Sequence, residues 1–140
     1  MSIIKRKCPR NVEPISFRFN NDENFGMLNL SGWRNEMDRI KNHNHLVITD
    51  DTINIHFPMY DNYYVKTYTS SNGFTFKKLV DRIIKAGLAT GNYIIKYDNR
   101  TLSVENPNPS NYIMNYAIAS SNDGEDIKRL GNNIYISIQS

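Results

Sequence analysis

Cysteine is all but missing from this sequence: Cys8 stands alone, so no intrachain disulfide can form. A lone thiol in a polar, basic stretch suits a reducing compartment. Long apolar runs are missing too. Nothing approaches the roughly 18 residues of a membrane span, and Met1 to Lys7 carries charge without the apolar centre of a secretory signal. The expectation is a soluble protein of the cytoplasm with no membrane partner, the basic cluster leaving the nucleus open. Catalytic signatures are also missing. There is no G-x-S-x-G, no phosphate-cradling G-x-x-x-x-G-K and no G-x-G-x-x-G, and His and Cys do not stand at the spacings zinc prefers. The sequence therefore favours binding over catalysis and calls for no cofactor and no metal.

What is present is a chain long enough, at 140 residues, for one ordinary core. Its formal charge is +3; Lys5, Arg6, Lys7 and Arg10 contribute +4, which leaves residues 11–140 at −1. A second, local excess lies from Lys66 to Arg100, where seven basic residues face only Asp81 and Asp98. Asparagine fills 20 positions, and Ile, Lys and Tyr are frequent; such a bias follows AT-rich codons and speaks of genome rather than function.

Along the chain, residues 1–14 carry the basic cluster without periodicity and read as a flexible tail, and 15–140 read as a single α+β domain. Ile15 to Phe19 is a first short strand. Ser31 caps a helix over 31–42 whose Trp33, Met37 and Ile40 form one apolar stripe. Leu46–Ile48 and Ile53–Phe57 flank Thr49-Asp50-Asp51-Thr52 and predict a hairpin, with Pro58 ending its second strand. Tyr63 to Thr69 alternates as a half-buried strand. A second helix over 75–87 has Thr75 as cap, Phe74 as staple, Phe76, Leu79, Val80, Ile83 and Ile84 on one face, and Gly87 as C-terminal cap. Tyr93–Tyr97 and Thr101–Val104 predict another hairpin around Asp98-Asn99-Arg100, Asn106-Pro107-Asn108-Pro109 is a break, and 112–119 fits a helix or a strand. A helical turn over Asp126–Leu130, ended by Gly131, leads to a last strand with Ile134, Ile136 and Ile138 on one face. The fold class is α+β: a mostly antiparallel sheet with the two helices packed on it.

His43-Asn44-His45 invites a metal pair or a fragment of a nuclease motif, but further ligands are confined to Asp50, Asp51 and His56, and a polar loop accounts for the letters. Cys8 lacks a base and an ordered pocket. The better lead is Tyr60, Tyr63, Tyr64 and Tyr68 with Lys66 interleaved, beside a helix face carrying Lys78, Arg82 and Lys85. Tyrosines with adjacent cations suit a protein hot spot, or bases stacking on rings with phosphate held alongside; half-core tyrosines beside a solvated helix face are the plainer reading of the same residues. Asp81, four residues from both Lys77 and Lys85, neutralises part of that face. Lys5, Arg6, Lys7 and Arg10 read either as a basic arm that would add affinity for any polyanion or as a solubilising terminus.

The segment Phe57-Pro58-Met59-Tyr60, Tyr64 to Thr69, and Ser71-Asn72-Gly73-Phe74-Thr75-Phe76-Lys77-Lys78-Leu79-Val80-Asp81-Arg82-Ile83 resembles a loosely defined group of uncharacterised proteins from large cytoplasmic DNA viruses. The resemblance implies a viral protein acting in host cytoplasm and brings no assigned activity. The expectation is a non-enzymatic module binding a protein partner, another copy included. The alternative is an RNA-binding protein using the same tyrosines and basic residues.

Overall fold

Thr52–Met59 becomes the central strand because almost every side chain on it is apolar or can be buried. A computed structural model describes residues 2–23, 26–97, 117–120 and 126–138. Its elements are β1 (Ser2–Lys5), β2 (Glu13–Pro14), β3 (Gly26–Asn29), α1 (Leu30–Glu36) continued by a 3-10 turn (Met37–Arg39), β4 (Leu46–Ile48), β5 (Thr52–Met59), β6 (Asn62–Thr69), β7 (Phe74–Thr75), α2 (Phe76–Tyr97), β8 (Ala117–Ser120), β9 (Ile127–Leu130) and β10 (Asn133–Ile136). Six strands form one sheet in the order β1-β6-β5-β10-β9-β2. Every pair in it is antiparallel except β5 with β10. Two small ladders, β3 with β8 and β4 with β7, stand beside it. The architecture is the expected α+β, with a mixed, mostly antiparallel sheet and two helices.

The core forms on one face of the sheet. Ile53, Ile55 and Phe57 of β5, Ile134 and Ile136 of β10, and Ile127 of β9 pack with Leu30 and Trp33 of α1 and with Leu79, Val80, Ile83 and Ile84 of α2. Burying each such side chain contributes roughly 1.5–3 kcal/mol. Trp33 meets Phe17 edge-on at 5.1 Å and donates its indole N–H to the carbonyl of Ile118 at 3.1 Å. That satisfies the polar atom a buried tryptophan brings with it.

Several expected elements are placed differently. The hairpin is not 46–48 with 53–57: β4 pairs with β7, and β5 pairs with β6 through a turn at Tyr60-Asp61. Pro58 does not end the strand. A two-residue turn makes Met59/Asn62 the hydrogen-bonded pair and Pro58/Tyr63 a non-bonded one, so position 58 needs no amide toward β6. On the other side β10 reaches only to His56.

Helix α2 does not end at Gly87 but runs to Tyr97, so the strand expected at 93–97 is helical. Thr75 caps it as expected, accepting from the Lys78 amide at 3.0 Å. Ser31 is not the cap of α1. Asn29 is, accepting from the Gly32 amide at 2.8 Å. Asp126–Leu130 is not a helical turn: Ile127–Leu130 is a strand that pairs with β10 around Gly131, at φ +60. Residues 15–19 form no strand: Arg18 and Phe19 make isolated bridges, the latter to Ile40, and the Ile15 amide donates to the Ile127 carbonyl at 2.9 Å, while Ile15 and Phe17 are buried. Of the ambiguous 112–119 stretch, 117–119 belong to β8; the expectations for 98–104, 106–109 and 112–116 lie outside the described residues.

Parts of the stretch read as a flexible tail, 1–14, pair with the sheet. Ser2–Lys5 pairs antiparallel with β6, Glu13–Pro14 pairs with β9, and the chain between them joins opposite margins of the sheet. Ile3 and Ile4 supply the β propensity that the charge run after them obscured.

Candidate functional site

Alternation along β6 decides where the tyrosines go. Neighbouring residues of a strand project to opposite faces, so Tyr63 and Tyr64 cannot share a surface. Tyr64 points to the helix side, 4% exposed, its ring 5.1 Å from that of Tyr93 on α2 and its cluster completed by Met59 and Ile94. Tyr68, on the same side, is half-buried against the main core, and burial pushes its phenol up to about 12. Lys66, opposite Ile55, is half-buried there too.

Tyr63 lies on the opposite face, 2% exposed, and burial raises its phenol. The four tyrosines therefore do not share one platform: two of the rings are enclosed, one on each side of the sheet.

Of the helix cations, Arg82 lies near enough to Tyr68 to act on its phenol, but it is paired with Asp81. Lys78 donates to the Ser70 hydroxyl at 2.9 Å. Arg82 and Lys85 both pair with Asp81, the latter at 3.3 Å. Lys77, expected to share Asp81, pairs with Asp38 instead. On this face Lys77, Arg82 and Lys85 are held in local ion pairs and Lys78 in a hydrogen bond.

The basic arm and the turn of the β5–β6 hairpin do come together. Lys5, Arg6 and Cys8 from the N-terminal segment, Tyr60 and Asp61 from the turn, Tyr63 from β6 and Ser137 beyond β10 line an open cleft of about 540 Å³. The Arg6 guanidinium stands 5.8 Å from the centre of the Tyr63 ring and reaches the Tyr60 carbonyl at 3.4 Å. Tyr60 holds φ +55, a left-handed backbone that bulky residues rarely adopt. Behind Tyr63, His56 stacks on Tyr135 at 4.3 Å and its Nε2 lies 3.3 Å from Asn133 Oδ1. Its Nδ1 is buried without a partner, and burial holds the imidazole below its ordinary pKa. Asp61, Ser137 and Tyr135 had no signal in the sequence, and His56 was noted there only as a neighbour of His43 and His45, because strand pairing across the fold brings them together. Cys8, set aside as part of a tail, is a free, exposed thiol here.

Beside the cleft runs β1. Arg6 donates its amide to the Asp61 carbonyl at 2.9 Å. In the same register Ile4 and Ser2 form hydrogen-bonded pairs with β6, and Ile3 and Lys5 form non-bonded ones. The N–H and C=O of Ile3 and Lys5 therefore point outward, where no described strand meets them. Ile3 is 44% and Ile4 45% exposed. Lys5, Lys7 and Arg10 are exposed, and no described carboxylate pairs with them.

Other candidates carry less. His43 and His45 turn their backbone carbonyls to the Lys77 and Phe76 amides, at 3.0 and 3.1 Å, and so close the start of α2. Among the described residues no three His, Cys, Asp or Glu side chains gather to hold a metal, and no helix is long and apolar enough to cross a membrane. The apolar gap among Leu30, Trp33, Val80, Ile83, Ile118 and Ile127 has no room for a water molecule. Compared with protein-family models, with curated proteins and with solved structures, the chain matches none of them.

Proposed function

We propose that this chain is a non-enzymatic interaction module that engages a protein partner along the outer margin of β1 and the cleft beside it. The observation that carries this reading is the contrast between the two margins of one sheet. At the far margin, β2 is two residues long and contains Pro14, the usual means of blunting an edge. At the near margin, β1 offers outward backbone groups flanked by exposed Ile3 and Ile4. An edge left apolar and open is a template for another strand. The resemblance to proteins of large cytoplasmic DNA viruses, and action in host cytoplasm, belong to the same proposal and rest on sequence.

Single-stranded RNA is the second reading, favoured by Lys5 and Arg6 beside Tyr60 in the cleft. Less supports it, since stacking needs open ring faces and both Tyr63 and Tyr64 are enclosed.

Affinity purification of the whole chain, with and without RNase, separates the two. Proteins that resist RNase and are lost from an Ile3→Lys, Ile4→Lys double variant with unchanged circular dichroism are the expected result. A captured set that the variant retains in full, or that RNase removes, defeats the proposal.

A further inference from the structure

We infer that the partner segment is an extended acidic peptide of another protein, which adds to β1 in antiparallel sense as a seventh strand. This rests on the reading of β1 as the docking margin and specifies its occupant. The outward groups of Ile3 and Lys5 stand two residues apart, about 7 Å along the strand, and present two donor–acceptor sets to an incoming backbone. The incoming residue opposite Ile4 lies on the Tyr63 face, and the residues opposite Ile3 and Lys5 lie on the helix face.

Charge selects among the occupants. Lys5, Arg6, Lys7 and Arg10 place +4 on the segment that continues β1, whereas the remaining chain sums to −1. In the cleft beside it, Asp61 is the one described carboxylate against Lys5 and Arg6. Two copies meeting through β1 would bring two such clusters together, and like charges close across a strand pair are destabilising. A nucleic acid would satisfy the charges but not the outward amide and carbonyl groups of Ile3 and Lys5 as a ladder. An acidic peptide satisfies both. In antiparallel pairing, carboxylates meet Lys7, Arg6 and Lys5 in turn, and the two residues that follow meet Ile4 and Ile3. The recognised pattern is thus a short acidic run followed by two β-branched apolar residues.

Position 3 gives a clean test. Its N–H points away from β6, so Ile3→Pro removes an outward donor and leaves the β1–β6 ladder intact, whereas Ile4→Pro breaks that ladder. The probe is a fluorescein-labelled synthetic peptide of the stated pattern, titrated against the full chain by anisotropy. Expected are saturable binding at low salt, loss of about tenfold or more in affinity on Ile3→Pro or on N-methylation of the peptide at the residue facing Ile3, and a further fall at high salt.

A neutral peptide with the same apolar pair that binds as well, and is likewise lost on Ile3→Pro, overturns the acidic occupant and leaves the docking margin standing. Binding of no peptide at all, with sedimentation showing concentration-dependent dimers abolished by Ile3→Pro, overturns it in favour of a second copy. Binding of no peptide and no effect of Ile3→Pro on captured proteins removes both this inference and the proposed function. Labelled single-stranded RNA that binds more tightly than every peptide and competes with them assigns the cations to phosphate and also overturns it.

Discussion

A Cβ placed on Gly87 would stand 3.1 Å from two ring carbons of Phe57 and 2.7 Å from Cδ1 of Leu30. At Gly87, α2 thus lies close against both α1 and β5. A glycine inside a helix is about 1 kcal/mol less favourable than alanine, and close approach of the three elements offsets that loss.

Gly87→Ala is expected to destabilise the chain although it improves helix propensity. Phe57 and Leu30 are both fully buried, and overpacking a filled core costs about 1–3 kcal/mol. The net loss is expected at about 1 kcal/mol and is read from the urea midpoint at unchanged slope. A midpoint that rises would mean that Leu30 has room to step aside.

The two candidate caps of α1 separate in the same measurement. Asn29→Ala removes the acceptor of the Gly32 amide and is expected to cost about 1 kcal/mol. Ser31→Ala, at an exposed position inside the helix, should stay within about 0.5 kcal/mol of the wild type. The reverse order would place the helix start two residues later.

His56 predicts a pH dependence. Burial lowers its pKa in the folded chain, against a smaller opposing effect of the Asn133 hydrogen bond. The folded state therefore resists a proton that the unfolded chain accepts below about pH 6.5. The stability held by neutral His56 is fully present above that value and is lost as the pH falls from there toward the folded pKa. Urea unfolding at neutral and mildly acidic pH should show a smaller acid loss for His56→Phe than for the wild type. His43 and His45 remain in both proteins as the internal control, and equal losses would show that His56 takes up its proton freely when folded.

The amphipathic start of α2 was legible because Leu79, Val80, Ile83 and Ile84 repeat at helical spacing behind the Thr75 cap. The end of α2 was not: Gly87 carries a local signal for a C-terminal cap, and contact with Phe57 and Leu30 overrides it. The tyrosines were legible as residues but not as a surface. Their composition suggested a platform, and alternation on β6 divides Tyr63 from Tyr64. Lys5 and Arg6 were legible as a basic arm, yet nothing local ties them to Tyr60 and Asp61.

By itself the sequence determined the α+β class, the charge of residues 5–10 and the apolar stripes of β5 and the first half of α2, since each depends on composition or periodicity over a few neighbouring residues. Only the tertiary structure decided which strands pair, which tyrosines are enclosed, and that the N-terminal segment forms the margin of the sheet. Those outcomes depend on contacts between residues far apart in the chain, whose energy is distributed over the core and leaves no mark at any one position.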